Sequence, residues 1–131
     1  MPDPAVRLRE LAHAYRRSAL TDRSFYAVMF EAAVPGYRPG PESLAAAWSS
    51  MVVLVDAVRD AMDTGLLRAG DPEAVGRLLH AAAHGSVSLD ISGHLTGDDA
   101  LRCFRELTSA AFAASAPSSS PSQPEGQALR T

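Results

Sequence analysis

The stretch from Leu78 to Leu95 reads as one long helix, apolar on nearly every side, with histidines and glycines set into it at helical spacing. A helix apolar all round has to be covered on more than one face. The chain has 131 residues, which suits a single domain. In a domain that small, the helix must be buried against its own core and also against a second subunit. Ala81, Ala82, Ala83, Gly85, Ser86 and Ser88 make a smooth, small-residue surface. A glycine inside a helix costs about 1 kcal/mol relative to alanine. The close approach of another helix backbone would compensate that cost at Gly85. Gly93 either allows a similar contact or marks fraying.

The rest of the chain reads as helical too, five segments in all with no convincing strand. Pro4 suits the first turn of a first helix, whose apolar face carries Leu8, Leu11, Ala12, Tyr15 and Ala19. Arg7, Arg9, Arg16 and Arg17 fall mainly on the other side and read as a solvated face, with a contact to a neighbouring domain as the alternative. Asp22 is an N-cap for a short second helix lined by Phe25, Val28, Met29 and Ala32, which stops near Val34 before Pro35-Gly36. A third helix starts at Pro41 and runs to about Thr64, with Gly65 just past its end. Leu44, Trp48, Met51, Val55, Val58 and Met62 share a stripe on it, and Asp56 with Arg59 suits an exposed i, i+3 pair. Asp71-Pro72-Glu73 is a strong helix start: a cap, an N1 proline and an acid at the positive dipole end. That fourth helix is expected to reach Leu95. Thr96-Gly97-Asp98-Asp99 recaps a fifth, with Leu101, Phe104, Leu107, Thr108, Ala111 and Phe112 on a broad apolar face. From Ala116 the Pro/Ser-rich sequence lacks the apolar content to offset its ordering entropy, so residues 116–131 are expected to be a disordered tail behind a domain of residues 1–115.

Composition narrows the function classes. The 12 cations, all Arg, stand against 15 acids for a net charge of -3, which does not suit phosphate neutralisation along nucleic acid. Lys and Asn are absent and Ile91 is the sole isoleucine, which points to a GC-rich bacterial genome of the actinomycete kind. A single Cys103 cannot close an internal disulfide and fits the cytoplasm. Met1-Pro2-Asp3-Pro4 has neither the basic nor the apolar region of a signal peptide, and no apolar run is long enough to span a membrane.

The chemistry-bearing residues are few. His80 and His84, four apart on one face, have the spacing of two zinc ligands. No glutamate follows the first of them, and a third ligand would have to be His94, Asp90 or something remote. The alternative is a pair of partly buried histidines bonded to other helices or to a ligand, and no metal or other cofactor is expected. Asp90, between Leu89 and Ile91, reads as a structural salt bridge or a helix edge, with a ligand anchor as the alternative. Tyr15, Met29, Phe30, Trp48 and Met51 are either ordinary core or the wall of an apolar pocket between helices. There is no Gly-x-Ser-x-Gly, no phosphate-cradling loop and no activating base near Cys103, so no catalytic residue is assigned.

Four segments together resemble a known family. They are Arg9-Glu10-Leu11-Ala12-His13-Ala14-Tyr15, Phe25-Tyr26-Ala27-Val28-Met29-Phe30, Val34-Pro35-Gly36-Tyr37, and His84-Gly85 with Val87-Ser88-Leu89. In this order they are similar to the C-terminal domain of TetR-family transcriptional regulators, of the subgroup named for a Trp followed by His-Gly. The likeness runs from about Pro4 to Ala114. The family Trp, four residues before the motif His, is His80 here, which puts a titratable ring in place of an apolar wall. The resemblance implies an all-α, orthogonal or antiparallel bundle that senses a ligand and dimerises, without enzymatic activity. It implies a small hydrophobic effector held near Tyr15, Met29, Phe30, Trp48, Met51, Val55, His80 and His84. It further implies a homodimer built by the last two helices through Ala82, Gly85, Ser86, Leu89, Leu101, Phe104, Leu107, Thr108 and Ala111. Ligand would act by differential affinity for two conformations. DNA would be read by a helix-turn-helix, and no basic recognition helix is found upstream of Pro4 in this chain. Two other readings are a dimerising adaptor module without a pocket, and a metal-dependent helical enzyme using His80 and His84.

Overall fold

A computed structural model describes residues 3–22 and 41–118, apart from the side chains of residues 42–48. The expected second helix and the tail beyond residue 118 lie outside the described residues. Four helices are described: α1 (Pro4–Thr21), α2 (Pro41–Asp63), α3 (Pro72–Ile91) and α4 (Gly97–Ala114), with no strand among the described residues. None is long and apolar enough to cross a membrane.

The helix ends follow from local chemistry. Asp3 caps α1 by accepting from the Ala5 N–H at 2.8 Å, with Pro4 in the first turn. Asp71 caps α3 in the same way, its carboxylate 3.0 Å from the Glu73 N–H. Such a cap is worth about 1 kcal/mol. At the end of α2, the Leu66 N–H donates to the Ala61 carbonyl at 2.9 Å and the Gly65 N–H to Met62 at 3.1 Å, with Gly65 at φ 81°. This pair of bonds is a Schellman motif, which needs a residue in the left-handed region. Gly93 takes φ 81° as well, and α3 therefore stops at Ile91 instead of running to Leu95.

Helices α3 and α4 form an antiparallel hairpin. Leu79 and Ala111 share one buried cluster, Val87 and Phe104 the other, so residues rising along α3 meet residues falling along α4. The first cluster, with Leu8, Ala57, Val58, Ala61 and Leu67, joins all four helices near the start of α1. The second is built mainly from small residues, Ala19 and Ala83 with Val87, around Phe104. Helix α2 approaches α3 at Gly76, where an added Cβ would lie 3.2 Å from Val55 Cγ2. Within the protomer the close helix approach is at Gly76 and not at Gly85. A Cβ at Gly85 would meet nothing within 4 Å.

Two of the arginines expected on a solvated face tie α1 to the bundle. Arg7 pairs with Asp60 of α2 at 2.6 Å, a largely exposed contact. Arg16 pairs with Asp90 of α3 at 3.1 Å, with side chains 19% and 9% exposed, and its guanidinium lies 5.9 Å from the Phe104 ring centre. The expected Asp56–Arg59 pair is present at 3.0 Å.

Candidate functional site

Where α1 crosses α3, three of the residues expected to hold ligand come together. Tyr15 lies on the α1 face that packs on Ala83, Val87 and Phe104. Its hydroxyl shares a hydrogen bond of 3.3 Å with Nδ1 of His84. Its ring stands edge-on to His80, with centroids 5.5 Å apart, and the two imidazoles stack at 5.9 Å. The four-residue spacing that put both histidines on one face thus brings both rings to one tyrosine. Burial first, and the neighbouring His84 second, push the pKa of His80 below its usual 6.5. The cluster offers hydrogen-bond donors and acceptors beside flat ring surfaces, the type of polar corner that orients a ligand in a mostly apolar site. No group of three candidate metal ligands is found among the described residues.

The other expected ligand residues are placed differently. Val55 packs at the α2–α3 contact beside Gly76, one turn before His80. Met51 is half-buried on α2. Met29, Phe30 and the side chain of Trp48 lie outside the described residues. An open groove of about 510 Å³ runs along α1 past Arg7, Glu10, Leu11, His13, Ala14 and Arg17. Tyr15 and the histidines are not among its lining residues, and its arginines and open shape make it a poor seat for an apolar molecule.

The residues expected at a subunit interface divide into two groups. Phe104, Ser86 and Ala111 are buried within the protomer, so they have no surface to give a second copy; they are withdrawn from that set. An apolar helix face does not itself say whether its own fold or a partner covers it. Ala82 is half-buried against the core, and Leu101 and Thr108 are half-buried, the latter bonding its hydroxyl to the Phe104 carbonyl at 2.7 Å. On the open side of the hairpin, Leu78 is 46%, Leu89 43% and Leu107 40% exposed. Leu78 and Leu89 are eleven positions apart, which returns to almost the same helix angle about 16 Å further on, with Gly85 between them.

Sequence reasoning missed Arg16. A helical wheel places it off the core stripe, and only the crossing of α1 over α3 brings Asp90 within its reach. The signal that could have found it was the carboxylate of Asp90 in an apolar helix, which calls for a cation from another helix.

Residues 8–111 match the family described as tetracyclin repressor-like, C-terminal domain. The chain belongs to that family. No curated protein and no solved structure matches it. A tetracyclin repressor-like C-terminal domain is the regulatory part of a transcriptional regulator, and the all-helical fold described above is of that kind.

Proposed function

We propose that this chain is the effector-sensing and dimerisation module of a TetR-like regulator, without catalytic activity of its own. Two copies meet through the open side of the α3–α4 hairpin. A small hydrophobic effector binds beside Tyr15, His80 and His84, which supply its polar contacts. The observation that carries the reading is the exposed leucine strip: Leu78, Leu89 and Leu107 are large apolar residues left open on the two helices that pack together. Isolated exposed leucines are ordinary, but Leu78 and Leu89 are aligned along α3, and contiguous exposed apolar surface marks an interaction site. The polar cluster supports the effector half of the proposal, because it concentrates three hydrogen-bonding rings between α1 and α3.

The test is light scattering coupled to size exclusion, on the wild type and on Leu78→Glu/Leu89→Glu. The wild type runs as a dimer. The double variant runs as a monomer, with each exposed substitution changing protomer stability by no more than about 0.5 kcal/mol. A wild-type monomer at micromolar concentration overturns the interface. For the effector, a thermal-shift screen of hydrophobic small molecules reads binding directly. A ligand at a hundred times its Kd adds about 2.7 kcal/mol. Stabilisation that persists in full in Tyr15→Phe/His84→Ala would place the effector elsewhere.

A further inference from the structure

The contact between α1 and α3 has an unusual division of labour. At the Tyr15 end its apolar part is largely small: Ala12 and Ala19 on α1 meet Ala83 and Val87 on α3, with Tyr15, Ile91 and Phe104 of α4 packed around them. Alanines offer few knobs to interlock, so here the seam gains from other anchors. Two polar contacts supply them. Tyr15 meets His84 at 3.3 Å, and the next residue, Arg16, meets Asp90 at 3.1 Å. His84 and Asp90 are six residues apart, so the two anchors sit about 9 Å apart along α3. Two points at that separation fix both the translation and the rotation of α1.

The Arg16–Asp90 pair is a costly way to gain stability. Largely buried ion pairs of this kind are often replaced by apolar residues with no loss, and their best-attested use is to specify register. The stacking of the Arg16 guanidinium near Phe104 extends the anchor from α3 to α4.

We propose that Arg16 and Asp90 are positioning residues that set the register of α1 on α3 and so hold the Tyr15 hydroxyl against His84. The functional meaning of this register rests on the effector site proposed above. Its test does not, because the ligand-free chain suffices. A displacement of Tyr15 is transmitted to Arg16, its neighbour on α1, and through Asp90 and Phe104 to the α3–α4 hairpin.

The experiment is NMR of the isotope-labelled full chain, reading the Tyr15–His80 ring cross-peaks and the His84 Nδ1 shift. Arg16→Met/Asp90→Leu is expected to melt no lower than wild type, yet to lose the Tyr15–His80 cross-peaks and move the His84 signal. Arg16→Lys, which keeps the charge, retains both. A purely structural pair would alter melting and leave the ring signals of the folded protein in place. Wild-type ring signals in the apolar double variant therefore overturn the proposal. If that variant does not fold, Asp90→Asn, which keeps the shape and removes the charge, is read by the same signals: their loss supports the register role and their retention overturns it.

Discussion

Gly85→Ala separates the protomer from the proposed pair. Alanine is favoured over glycine in a helix interior by about 0.8–1.0 kcal/mol. In the protomer nothing opposes that gain, because the new methyl meets no atom within 4 Å. Unfolding entropy of roughly 2.1 cal/mol/K per residue, over 131 residues, converts 1 kcal/mol into about 4 °C of Tm. In the proposed dimer the same methyl lies on the strip between Leu78 and Leu89. If a second copy's helix packs closely there, overpacking costs about 1–3 kcal/mol. Since 1.4 kcal/mol is tenfold in Kd, dimer affinity should drop by roughly fivefold to a hundredfold. Denaturant melts at protein concentrations on either side of dimer dissociation, with sedimentation equilibrium for Kd, read both quantities. Dilute protein should gain stability while the dimer weakens. Gly76→Ala is the control: its methyl would lie 3.2 Å from Val55 Cγ2, so the propensity gain is offset and little or none appears. The reasoning fails if Gly85→Ala destabilises the dilute protomer, or if it leaves dimer affinity unchanged.

Two further outcomes follow from burial. Phe104→Ala should cost about 3–5 kcal/mol in a denaturant melt, because the ring is fully buried at the centre of the second cluster; a loss below 1 kcal/mol would contradict that placement. The His80 pKa is depressed in the fold, so between that lowered value and 6.5 the unfolded chain binds more protons and stability rises with pH. The contribution is fully present above pH 6.5 and is lost as pH falls through the folded value. His80→Gln should flatten that part of the stability–pH curve, and an unchanged slope would remove His80 as its source.

Much of the chain's layout could be read from local signals. Asp71-Pro72-Glu73 and Gly65 mark their helix ends because caps and left-handed glycines act within a few residues. Asp56 and Arg59 pair because one turn of helix decides it. The histidines fell on one face for the same reason, and Tyr15 joined them because its own face was apolar. What escaped was whatever depends on how helices cross. Phe104 and Ala111 on α4, and Ser86 on α3, share faces with residues that remain open, and periodicity does not distinguish the side the protomer covers from the side left bare. Gly85 and Gly76 look alike in sequence, yet only the crossing of α2 over α3 makes Gly76 the close approach. Arg16 was read as solvated because its partner is 74 positions away. The apolar run continued to Leu95, whereas the left-handed turn at Gly93 closes the helix four residues sooner.

The backbone bond from the Arg68 N–H to the Ser115 carbonyl, 2.9 Å long, fastens the turn between α2 and α3 to the end of α4. Leu8, near the start of α1, packs in the same cluster as Leu67 and Ala111. The first and last described helices therefore begin and finish at one pole of the bundle, and the turn between α3 and α4 occupies the opposite pole. Labels attached near Pro4 and Ser115 would sit side by side and report motion of α1 against α4 directly. A reporter in the Ser92–Thr96 turn would instead stay remote from both and serve as a fixed reference.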